Sequence, residues 1–103
     1  MLPPPSVNVT YPNGGETLTG GSTVNITWTS SNLTTGVIRI YFYNGSTLSL
    51  DTTISTLSKT SYAWTVPNIN ATNCKIIVGN YNPTIANWIV YDDSDAPFSI
   101  TTP

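Results

Sequence analysis

Apolar residues along this chain recur at every second position, in short runs interrupted by glycine, proline and asparagine. The clearest run is Thr23–Ser30, where Val24, Ile26 and Trp28 share one phase and Asn25 and Thr27 the other. A period of two puts alternate side chains on opposite faces of a strand. The same alternation predicts a strand over Gly36–Tyr43, with Ile38, Ile40 and Phe42 inward and Arg39, Tyr41 and Tyr43 outward. It predicts another over Ser61–Val66, with Tyr62, Trp64 and Val66 inward, and one over Cys74–Asn80, with Cys74, Ile76 and Val78 on one face. Ser6–Tyr11, a short edge at Glu16–Leu18, Thr47–Ser55 and Pro97–Thr101 complete the set. No stretch carries the 3.6-residue stripe of a helix.

Turn chemistry sets the order of these strands. Pro12-Asn13-Gly14-Gly15-Glu16 predicts a sharp corner after the first strand, because proline fixes its φ and glycine accepts positive φ. Asn44-Gly45 predicts a type I′ hairpin. Tyr81 to Asp95 is expected as a long connection holding Pro83 and the apolar run Trp88-Ile89-Val90-Tyr91. About seven strands at this spacing form an all-β fold, an antiparallel two-layer β-sandwich. The 103 residues suit one such domain, 6–101. It is flanked by a proline-rich linker at 1–5 and the start of a second at 102–103.

Composition changes the picture in one respect: only 8% of residues are charged, against roughly 25% in an average soluble domain. Thr, Ser and Asn carry the surface instead, so little electrostatic repulsion keeps molecules apart. The net charge of −2 and the scattered Arg39, Lys59 and Lys75 provide no footprint for nucleic acid. No run approaches the ~20 apolar residues of a membrane span, and Met1-Leu2-Pro3-Pro4-Pro5 does not read as a signal peptide. Cys74 is the single cysteine, so no disulfide forms within the domain; it is expected as a small core residue.

Catalysis finds little to work with. The chain has no histidine, which removes Ser-His-Asp and Cys-His arrangements. Glu16 lies in the corner, where bonding to local N–H groups is its expected role. Asp92, Asp93 and Asp95 fall within four residues and are considered as oxygen ligands for Ca²⁺, although the EF-hand pattern is absent; an Asx-type turn is the simpler reading. Five N-glycosylation sequons begin at Asn8, Asn25, Asn32, Asn44 and Asn70. Asn25 falls on the outward phase of its strand. The outward Tyr41 and Tyr43, with Tyr81, Trp88 and Tyr91 in the long connection, are the candidate contact residues, since exposed rings stack on sugar faces. Trp28 and Trp64 fall on inward phases and are expected in the core.

Three landmarks occur in order: Pro12-Asn13-Gly14-Gly15-Glu16, Ile26-Thr27-Trp28, and Asp92 through Ile100, with Ser61-Tyr62-Ala63-Trp64-Thr65-Val66-Pro67 between the last two. Together they resemble the Ser/Thr-rich, GPI-anchored fungal cell-wall domain family, related to yeast cell-wall glucan assembly proteins, whose relatives recur in bacterial and archaeal surface proteins. The resemblance covers about Ser6 to Thr101. It implies an immunoglobulin-like or fibronectin-III-like sandwich serving as a non-catalytic extracellular module. That module would space, display or link parts of a secreted or cell-wall protein, with neighbouring domains or copies of itself as partners. The alternative is a carbohydrate-binding or adhesive module appended to a secreted enzyme, with polysaccharide as partner. The mass of protein from its native source decides the sequons: a glycan at one or more is expected, and an unmodified mass overturns it.

Overall fold

The computed structural model describes residues 3–103, and the expected linker at 1–5 falls partly on the two residues outside that range. Nine strands are present among the described residues: β1 Ser6–Tyr11, β2 Thr17–Thr19, β3 Thr23–Ser31, β4 Val37–Tyr43, β5 Leu48–Ile54, β6 Ser61–Thr65, β7 Ala71–Asn82, β8 Asn87–Asp93 and β9 Phe98–Thr101. No helix there is long and apolar enough to cross a membrane.

Two sheets pack face to face. The smaller has the order β1-β3-β6, and the larger runs β2-β9-β7-β4-β5 with β8 also on β7. Every pairing is antiparallel except β2 with β9, which is parallel. The residues assigned inward at Ile26, Trp28, Ile38, Ile40, Phe42, Trp64, Val66, Cys74, Ile76 and Val78 lie in the buried core with Phe98 and Ile100 of β9, and Val24 and Tyr62 pack partly buried against it. Trp64, on the smaller sheet, joins the two layers: its ring packs on Phe42 at 5.3 Å and edge-on to Phe98 at 6.4 Å, both on the larger sheet. Its indole N–H donates to Asp51 Oδ1 at 3.2 Å.

Three local expectations change. The segment after Asn80 is no long connection: β7 continues to Asn82, turns, and returns as β8. Asn82 Oδ1 accepts from the Thr84 N–H at 3.0 Å, and Ala86 takes φ +52 to complete the reversal. The Asn44-Gly45 hairpin is not type I′, because Asn44 keeps negative φ. Its side chain instead closes a four-residue loop, Oδ1 accepting from the N–H groups of Ser46 (2.9 Å) and Thr47 (2.8 Å). The strand expected at Cys74–Asn80 is 12 residues long and is the spine of the larger sheet.

The opening corner and the closing segment prove to be one structure. Gly14 and Gly15 both take positive φ. The Glu16 carboxylate accepts from the N–H groups of Asn13 (2.8 Å) and Gly14 (2.7 Å), the local role expected of it. Gly15 N–H then bonds Pro97 O at 2.9 Å, and Ala96 N–H bonds Asn13 O at 3.0 Å. Beneath them Ser94, fully buried, donates through Oγ to Pro12 O at 2.8 Å and accepts from Ile76 N–H at 3.0 Å.

Removing the Ser94 hydroxyl leaves a buried donor and a buried acceptor without partners, which costs about 1–3 kcal/mol. Ser94→Ala should therefore lower denaturant stability by that amount. Thr53→Ala on the exposed face of β5 should change it by less than about 0.5 kcal/mol. Equal effects would contradict the role given to Ser94.

Candidate functional site

The site is assembled on the outer face of the larger sheet. Residues directly opposite one another in an antiparallel pair share a face. Arg39 on β4 lies opposite Gly79 on β7, which lies opposite Tyr91 on β8. Tyr41 lies opposite Ile77. A register shift in β7–β8 between Asn80 and Tyr81 then sets Tyr81 against Trp88. The shift lets consecutive aromatic residues converge on one patch rather than alternate away from it.

Trp88 is the centre. Its ring stands 5.6 Å from Tyr41, 5.3 Å from Tyr81 and 5.7 Å from Tyr91, centroid to centroid. Two contacts are edge-to-face and one is tilted, the arrangements favoured by the ring quadrupole. Gly79 makes the room. A Cβ there would sit 2.7 Å from Trp88 Cε3 and 2.7 Å from Tyr91 Cβ, so a side chain and the indole cannot share the place. Glycine inside a strand often marks such a close approach.

Arg39 completes the patch. Its guanidinium lies 3.9 Å over the Tyr81 ring, a cation–π contact, and Nη1 donates to the Tyr41 hydroxyl at 3.4 Å. No carboxylate among the described residues pairs with it, and its buried Nε has no hydrogen-bond partner there. The other charges on this face, Lys75 and Asp93, pair with each other at 3.4 Å. Tyr91 is 60% exposed, and Leu48 and Leu50 extend the apolar surface along β5 beside Tyr43 and Tyr41.

The structure thus brings Tyr41, Tyr81, Trp88 and Tyr91 together. Tyr43 shares the face but turns its hydroxyl to Gly45 O at 3.0 Å. The sequence reading placed Arg39 outward without assigning it to the site, and it missed Gly79. An arginine in phase with Tyr41, and a glycine inside an apolar strand, were the signals for both.

The acidic residues do not gather. Asp92 Oδ2 accepts from Val9 N–H at 2.8 Å, Asp93 pairs with Lys75, and Asp95 accepts from Asn13 Nδ2 at 3.0 Å. Adjacent residues of a strand point to opposite faces, which separates the first two. Among the described residues no group of acidic, histidine or cysteine side chains is placed to hold a metal ion. Cys74 is buried, and burial pushes its thiol pKa up, away from the thiolate form. Asn8 and Asn25 are exposed on the outer face of the smaller sheet, where Thr10 and Thr27, the third residues of their sequons, are hydrogen-bonded to each other at 2.7 Å. Asn32 and Asn70 are also exposed, whereas Asn44 is half-buried in its loop.

Comparison with known proteins agrees with this architecture. The family described as "Bacterial Ig domain" matches residues 5–78. Among solved structures, the fibronectin(III)-like modules of Clostridium thermocellum CbhA superpose with a TM-score of 0.61 at 18% identity, over 94% of this chain and 98% of theirs. That likeness shows the fold. No curated protein matches the chain. The family match contains Arg39, Tyr41 and Tyr43 and stops before Gly79, Tyr81, Trp88 and Tyr91.

A double-mutant cycle tests the packing of Trp88 on Gly79. Gly79→Ala should destabilise the fold by about 1–3 kcal/mol, the usual cost of overpacking. The same change in a Trp88→Ala background should cost less, because the indole is gone and only the close approach to Tyr91 Cβ remains. Equal costs in the two backgrounds would place the indole elsewhere.

Proposed function

Since this chain belongs to the bacterial Ig domain family, we propose that it is a non-catalytic module that spaces and displays other parts of a surface or secreted protein. The observation that carries this reading is its shape: the chain extends 49 Å, by 22 × 21 Å across, and is tied at the Pro12–Glu16 corner to its closing segment. Prolines at the start of the chain suit linkage in a beaded chain, because proline-rich segments are extended and stiff. The low charge and the Ser/Thr/Asn-rich outer face of the smaller sheet favour close side-by-side packing, with glycans at the exposed sequons. The cell-wall domains that the landmark motifs resemble point to the same extracellular setting.

A second reading is a polysaccharide-binding module. One observation favours it: four aromatic rings gather on a solvent-facing sheet, outside the core. The neighbours in the full-length gene discriminate the two. Tandem copies favour spacing, and an adjoining catalytic domain favours binding.

A protein of two such modules in tandem should be extended in small-angle X-ray scattering, each module adding up to 49 Å to the maximum dimension. A pair folded side by side, with a maximum dimension little above that of one module, would contradict the spacer reading.

A further inference from the structure

Resting on the polysaccharide-binding reading, we propose that the β4-β7-β8 face recognises an anionic polysaccharide, one whose sugars carry carboxylates, and that Arg39 reads the charge. The rings alone would accept any pyranose with an apolar C–H face. Arg39 is what narrows the choice. It is the only arginine in the chain, and it is set amid the aromatic cluster over Tyr81 with no carboxylate partner among the described residues. A guanidinium presents five donors in a planar fork matched to a carboxylate. Here a single long bond to Tyr41 engages that fork from within the protein. The contact with Tyr81 restrains the guanidinium, so little side-chain freedom is lost when an anion arrives.

Charge complementarity also separates this occupant from a second copy of the chain. Two identical faces docked across a two-fold axis would bring Arg39 toward its own counterpart. The one carboxylate on the face, Asp93, already serves Lys75. Self-docking would therefore bury two like charges without compensation. A uronate-bearing polymer supplies both of the missing groups: a ring face for Trp88 and Tyr91, and a carboxylate for Arg39.

The test is calorimetric titration of the intact chain with oligomers of polygalacturonate, alginate and hyaluronate, each beside its methyl-esterified form, and with a neutral β-glucan. At least one acidic oligomer should bind, its ester about tenfold or more weaker, and the difference should shrink as salt rises. Arg39→Gln should lose the preference for the acid while keeping the weaker binding to the ester. Tyr91→Ala, an exposed position whose loss leaves the core intact, should weaken both. Equal affinity for acid and ester would overturn the assignment of Arg39 while leaving the polysaccharide reading standing. Binding of no glycan at all would overturn both. Arg39-dependent binding of a poly-glutamate peptide with no glycan bound would overturn both as well, and would make the face a protein-docking surface.

Discussion

The structure depends on one long strand, β7, keeping its alternation from Cys74 to Tyr81. Along β7, Cys74, Ile76, Val78 and Asn80 face the core, while Lys75, Ile77, Gly79 and Tyr81 belong to the outer face. One flank pairs with β4 from Lys75 to Tyr81; the other pairs first with β9 and then with β8. A slip of one residue would carry the core set into solvent and the outer set inward. The core and the aromatic face are thus two consequences of a single register.

Two polar devices hold that register where hydrophobic contact alone would allow sliding. At one position Ser94 fastens the Ile76 N–H to the opening corner. At the other, Asn80 is buried yet satisfied: its amide donates to Thr35 O at 2.9 Å and Val37 O at 3.1 Å, pinning the loop before β4. An unpaired buried polar group costs stability, and these pairs form in one alignment of the strands. The landmarks at the two ends of the sequence are therefore coupled physically. Asp92, Ser94 and Asp95 each reach back to β1 or the Pro12 corner.

Most of the sandwich was legible because half-buried strands write their faces as alternation. Val24-Asn25-Ile26-Thr27-Trp28 and Ile38 through Tyr43 are clear cases. The β7–β8 hairpin was not legible, for a reason that bears on the site. At Gly79-Asn80-Tyr81 the outward position is glycine and the inward one is amide, so the apolar period vanishes where the strand continues. In β8, Trp88, Ile89 and Val90 are all half-buried, Trp88 covering the outer face and Val90 packing against the core, so the run reads as uniformly apolar. Asn44-Gly45 misled in another way. A strong dipeptide signal lost to the Asn44 side chain, which caps two N–H groups and makes a four-residue loop sufficient. The aromatic candidates were named from their outward phase or irregular context; their convergence needed the register shift in β7–β8, which no pattern of residue types displays.

Trp88 lies against the backbone of Gly79, ringed by Tyr41, Tyr81 and Tyr91, on the outside of the sandwich. Proton NMR of the intact chain reads this directly. Gly79 Hα resonances should be displaced by the indole ring current, with nuclear Overhauser contacts from the Trp88 ring to all three tyrosine rings. Gly79 Hα shifts typical of an ordinary extended strand, with a Trp88 ring showing no contact to those tyrosines, would contradict it.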